Sequence, residues 1–151
     1  MLAVWGCGDG GEIPPTARFF AENINSGNAE FWTVDDSGNL IGELYIFYNM
    51  EDQDFADGKQ RAYLCAFRIR EAFRGKGIGS RLLETVLLHL KNSGFSVATI
   101  GVEEDDEANI RLYSRFGFRT RIKNCVLDPC YMDEEMKPRV CPCFRLLRKD
   151  L

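Results

Sequence analysis

Three groups of residues in this chain have types and spacings that chemistry uses. The first is Arg74-Gly75-Lys76-Gly77-Ile78-Gly79-Ser80, which runs straight into an apolar-periodic segment. Glycines let the backbone take positive φ and approach a ligand closely. A helix starting here presents unpaired N–H groups and the positive end of its dipole. That combination suits phosphate or pyrophosphate, and Arg74, Lys76 and Arg81 add positive charge beside it. The second group is Asn109 and Tyr113, one helical turn apart and so on one face. The third is Cys125, Cys130, Cys141 and Cys143, four thiols near the C-terminal end. Zinc binds four thiolates, but these spacings are not those of a C-x2-C clamp. They read as small buried thiols, and no metal is expected.

Two nucleotide loops offer themselves for the glycine turn. The Walker pattern G-x-x-x-x-G-K-[ST] is absent. The dinucleotide pattern G-x-G-x-x-[GA] nearly fits Gly75, Gly77 and Ser80, with Glu103 downstream. However, Arg70 to Arg74 separates those glycines from the preceding strand, and strand-like segments come before the unit. An NAD-binding dehydrogenase domain is therefore a rival reading only.

The pattern Arg74-x-x-Gly77-x-Gly79, after a strand and opening a helix, resembles motif A of the GCN5-related N-acetyltransferase (GNAT) family. Downstream, Asn109-Ile110-Arg111-Leu112-Tyr113-Ser114-Arg115-Phe116-Gly117-Phe118 resembles that family's motif B, with one helix and one strand between the two. The resemblance covers roughly 31–148. It implies an α/β fold: a mixed, mostly antiparallel sheet flanked by helices, with a shortened N-terminal region. The implied activity is acetyl transfer from acetyl-CoA to a primary amine by direct attack in a ternary complex. A non-catalytic acyl-CoA-binding or sensing module is the alternative; it would share motif A without needing Tyr113.

By the same resemblance, the backbone of Phe67, Arg68 and Ile69 would pair with the pantetheine arm. The amides of Gly75, Lys76, Gly77, Ile78, Gly79 and Ser80 would bind the pyrophosphate, with Arg74 ordering the turn. Tyr113 would protonate the departing sulfur, and Asn109 would bond the pantetheine. Many relatives carry Asn where this chain has Asp106, so that contact is not carried over. The ribosomal-protein N-terminal acetyltransferases carry a glutamate where this chain has Gly101, which sets the chain apart from them. Glu43, Glu103 and Glu104 match no motif and read as solvated surface charges rather than the general base.

At 151 residues the chain is expected to be one domain with a real core, spanning 1–151. Its net charge of −4 argues against nucleic-acid binding. No run reaches membrane-spanning length and no secretory leader is evident, so a cytoplasmic protein with six reduced cysteines is expected. Acidic stretches at 51–57, 103–107 and 133–135 would favour a cationic amine if they rim the acceptor cleft. The final strands of such folds often pair between subunits, which would make a homodimer.

These residues must be positioned by a short set of elements. The first strand is expected at Leu2 to Trp5 or missing, and a helix at Thr16 to Asn25. A hairpin follows, with strands at Phe31 to Val34 and Leu40 to Asn49 around Asp35-Asp36-Ser37-Gly38-Asn39. After an acidic loop come a strand at Arg61 to Arg70 and an amphipathic helix at Ile78 to Asn92. His89 on that helix reads as a boundary residue. A buried strand at Phe95 to Val102 precedes a helix capped by Asp105 or Asp106 and ended by Gly117. Phe118 to Val126 and Cys143 to Arg148 read as the last strands, separated by a loop at Leu127 to Arg139, with Pro142 just ahead of the final strand.

Overall fold

The computed structural model describes residues 11–151. The reduced first strand expected at Leu2 to Trp5, and Cys7, lie outside them. The elements run α1 (Pro15–Asn25), β1 (Ala29–Asp36), β2 (Asn39–Phe47), β3 (Arg61–Ile69), α2 (Ile78–Asn92), β4 (Val97–Glu103), α3 (Glu107–Arg115), β5 (Thr120–Met132) and β6 (Pro138–Asp150). The strands form one sheet in the order β1-β2-β3-β4-β6-β5. Only β3 and β4 are parallel; the other four pairings are antiparallel.

Alternation along the strands sorts the core into two layers. Leu44, Ile46, Leu64, Ile100 and Val102 pack under the stripe Leu82, Leu83, Val86, Leu87 and Leu90 of α2 and under Tyr113 of α3. On the opposite face, Tyr45, Phe47, Tyr63, Cys65, Phe144 and Leu146 pack with Phe20 of α1 and with Cys125 and Cys130. The first hairpin closes through Ser37 and Gly38, both at positive φ (53° and 85°), so its strands pair up to Asp36–Asn39.

The C-terminal half differs from the expected loop and short strand. β5 continues to Met132, and β6 begins at Pro138, so the two form a long hairpin turned over residues 133–137. Asp133 holds that turn by accepting hydrogen bonds from the amides of Glu135 and Lys137, both at 2.9 Å. In the sequence reading, Pro142 lies just ahead of the final strand and 127–139, which includes Pro129, is a loop. In the structure each sits where the β5–β6 register shifts, Pro129 between Asp128 and Met132 and Pro142 between Val140 and Phe144. A bulge needs no ladder donor at the extra residue, so proline is tolerated there. Among the described residues no helix is long and apolar enough to cross a membrane.

Candidate active site

The site is a slot where the sheet comes apart. β3 and β4 pair from Arg61–Val97 to Leu64–Ile100 and no further. There β3 carries a bulge: Tyr45 pairs with Cys65 but Glu43 pairs with Arg68, and Ala66 between them takes φ 51°. The extra residue bends β3 away from β4. Phe67–Ile69 thus lie beyond the last β3–β4 pair.

The gap holds a cavity of about 280 Å³ lined by Cys65, Ala66, Phe67, Ile100, Gly101, Val102, Glu103, Asp106, Asn109, Tyr113 and Phe144. Through Phe67, Asp106 and Asn109 it adjoins a larger cavity of about 650 Å³ over the glycine turn. Arg68, Ile69, Arg74, Gly75, Gly77, Ile78, Gly79 and Ser80 line that larger space, with Arg115 adding a cation opposite.

The turn brings unpaired backbone donors to one end of the larger cavity. Gly75 (φ 73°) and Gly77 (φ 77°) take backbone angles that favour glycine. Gly77 is the residue before the first turn of α2, and no side chain caps that terminus. The first-turn amides of Ile78, Gly79 and Ser80 are thus donors with no partner inside the helix. Arg74 steadies the turn from below, its Nε donating to the Ile69 carbonyl at 2.9 Å. A Cβ at Gly79 would stand 2.9 Å from the Phe67 ring, so glycine there lets α2 lie close against β3. Lys76 does not line either cavity; its ammonium lies 5.4 Å from the centre of the Phe73 ring.

The other wall comes from α3. Asp106 caps the helix, accepting from the Asn109 amide at 3.1 Å and from the Asn109 side chain at 2.7 Å. Asn109 is therefore held by Asp106 rather than facing solvent freely, and both line the two cavities. Tyr113, 3% exposed, borders the smaller one. Burial, with the negative Asp106 and the Cys65 thiol near it, pushes its phenol well above the ordinary tyrosine range.

Two site features were not read from the sequence. Glu43 is not a solvated charge: it is fully buried, with Oε1 3.3 Å from Arg68 and Oε2 without a hydrogen-bond partner among the described residues. Burial raises its carboxyl and Arg68 opposes the rise. Phe144, on a strand expected to matter only for pairing, supplies the slot's remaining wall beside Gly101. A periodicity reading gives no sign of either contact, since both depend on which strands become neighbours.

Glu103 and Glu104 are exposed, and Glu103 lines both the slot and an adjoining open hollow of about 460 Å³. Glu104, Asp105, Cys141 and Cys143 complete the hollow's polar lining. The cysteine group divides: Cys125 and Cys130 are buried, Cys141 is half-buried and Cys143 is exposed. All five described cysteines are free thiols. Among the described residues no group of three or more His, Cys, Asp or Glu is placed to hold a metal ion. His89 sits at the sheet boundary, its Nε2 3.2 Å from Glu30 and its ring against Trp32.

The model of the acetyltransferase (GNAT) family matches residues 5–118. Mycothiol acetyltransferase of Propionibacterium freudenreichii is 30% identical over 113 residues, 70% of this chain and 35% of that protein. Spermine/spermidine N(1)-acetyltransferase of Bacillus subtilis is 33% identical over 84 residues, 54% of each chain. The chain thus spans about a third to a half of the length of these curated relatives. Among solved structures, a GNAT family acetyltransferase from Elizabethkingia anophelis with acetyl-CoA bound superposes with a TM-score of 0.65 at 22% identity, covering 95% of this chain and 94% of that one.

Proposed function

The chain belongs to the GNAT acetyltransferase family, and from that premise we propose that it transfers an acetyl group from acetyl-CoA to a primary amine. The observation that carries the reading is continuity: one slot runs from the uncapped glycine turn, past the open edge of β3, to Tyr113. The residues present fit the donor. The amides of Ile78, Gly79 and Ser80, with Arg68, Arg74 and Arg115 around them, suit its phosphates. Beyond the last β3–β4 pair, the backbone of Phe67–Ile69 borders the slot and suits an extended amide-bearing arm.

Bound there, acetyl-CoA supplies a thioester carbonyl. A backbone N–H on the open edge of β3 donates to the carbonyl oxygen as negative charge develops on it. The amine nitrogen forms the new C–N bond as the C–S bond breaks, and the amine loses one proton to solvent or a base. Tyr113 donates its phenolic proton to the sulfur, a role its raised pKa keeps open because the phenol stays protonated.

The acceptor we assign is a cationic amine. Glu103, Glu104 and Asp105 rim the hollow that adjoins the slot, and negative rims concentrate cations. The similarity to a spermine/spermidine acetyltransferase supports the same class. A cytoplasmic location suits free thiols and this donor. Titration calorimetry with acetyl-CoA, coenzyme A and NAD tests the donor, and thiol release with a panel of mono- and polyamines tests the acceptor. Binding of the two CoA compounds but not NAD, with turnover on polyamines, is expected. Failure to bind CoA overturns the reading.

A further inference from the structure

On the acetyl-transfer reading, the thioester fills the slot from the glycine-turn side, so the amine must enter from the opposite face of the sheet. Along β4, Ile100 and Val102 pack with the α2–α3 layer, which turns Gly101 and Glu103 to that opposite face. There the slot is bounded by Cys65, Gly101 and Phe144. The missing side chain of Gly101 does not leave a gap. Ring carbons Cζ and Cε2 of Phe144 stand far inside contact distance of where a Cβ would lie, and the Tyr63 hydroxyl is 2.8 Å from that point.

The ring is fixed in place. Phe144 is 6% exposed, pairs with Glu103 across β4 and β6, and lies parallel to Phe55 with centroids 6.4 Å apart. A side chain packed on this many sides swings away only if its neighbours repack. We propose that Phe144, seated on Gly101, gates the amine side of the slot, admitting primary amines on an unbranched carbon and rejecting those branched at the α-carbon. The acceptor class narrows accordingly to the terminal amines of alkyl chains such as diamines and polyamines, and excludes the α-amine of a peptide. A methyl group that does not fit a shaped apolar wall costs about 10–200-fold in specificity.

The test compares 1,4-diaminobutane with its branched analogue hexane-2,5-diamine, using wild type, Phe144→Leu and Phe144→Ala. The wild type is expected to favour the unbranched diamine in kcat/KM by at least about tenfold, with the ratio falling stepwise in the two variants. Equal use by the wild type, or a ratio unchanged in both variants, overturns the gate. Phe144→Leu serves where Phe144→Ala fails to fold. A second readout needs no turnover: alkylation of Cys65 by iodoacetamide, mapped by peptide mass spectrometry with acetyl-CoA, which has no free thiol, present and no amine added. Labelling should be about tenfold faster in the variants, since the thiol lines the slot in the same packed layer as the ring and its rate follows access. An unchanged rate overturns the gate. Faster labelling without acetylation of any amine supports it and counts against acetyl transfer alone.

Discussion

Gly101→Ala puts one methyl group where the Phe144 ring and the Tyr63 hydroxyl already are. All three residues lie on the packed side of the sheet, with Tyr63 2% and Phe144 6% exposed. Forcing a methylene into such a core costs about 1–3 kcal/mol through displaced side chains and backbone. For a chain of this size each kcal/mol lowers the melting temperature by about 2–4 °C, so a loss of about 2–12 °C is expected. Phe144→Leu alone should cost about 1 kcal/mol or somewhat more, from the part of the ring not replaced. The two changes should not add. Leucine withdraws the ring carbons that the methyl would strike, so the double variant should lie close to Phe144→Leu alone, with a coupling of about 1–2 kcal/mol. Urea unfolding at 25 °C followed by tryptophan fluorescence measures all four corners of the cycle. If the two costs sum to within about 0.5 kcal/mol, glycine at 101 does not answer to Phe144 and the reasoning about the gate loses its foundation.

Tyr113→Phe should lower kcat by about 100-fold or more and leave acetyl-CoA affinity unchanged, since only the donated proton is lost; equal turnover by the two proteins would remove Tyr113 from the chemistry. Burial raises the Glu43 carboxyl, with Arg68 opposing. An acid raised in the folded state loses stability as pH climbs from its unfolded pKa through its folded one. The melting temperature of Glu43→Gln relative to wild type should therefore rise as pH climbs above the ordinary glutamate range; a flat difference would mean the buried carboxylate costs nothing. Asp57 behaves in the opposite sense. Slight burial pushes its carboxyl up, but hydrogen bonds from the amides of Arg61, Lys59 and Gln60, and the Arg61 charge, hold it below its usual range. Asp57→Ala should cost about 1 kcal/mol near neutrality. That cost should shrink as pH falls through the folded pKa and protonates the wild-type residue; a cost independent of pH would rule out the carboxylate as its source.

Much of this was legible where a local rule coincided with the tertiary outcome. The stripe of α2, the Asp106 cap and the hairpin at Ser37-Gly38 follow from periodicity, capping and turn chemistry that no distant residue overrides. The glycine turn was legible for the same reason: its unpaired backbone donors belong to one helix terminus. Lys76 shows the limit of that logic, because charge near a loop does not say which way a long side chain goes, and here it turns to Phe73. The β5–β6 hairpin was misread because proline was weighed as a breaker without the partner strand that lets a bulge absorb it. Glu43 was misread because burial depends on what covers a strand, and a lone glutamate in sequence carries no sign of its cover.

The least legible feature is the one from which the site follows. Ala66 is an alanine at φ 51°, a conformation that costs roughly 1–2 kcal/mol relative to an ordinary strand residue. Nothing in its type marks it. Yet that one residue separates the Tyr45–Cys65 pairing from the Glu43–Arg68 pairing, and β3 leaves β4 at the same place. It also sorts the side chains around it. Cys65, before the bulge, packs with the layer that holds Phe144, whereas Phe67, after it, packs against the layer that holds Tyr113. Without the extra residue, a period of two would put Cys65 and Phe67 on the same face. The slot would then lack both its opening beside β3 and walls drawn from both layers. Strain at Ala66 is thus tied to the opening of the slot between β3 and β4.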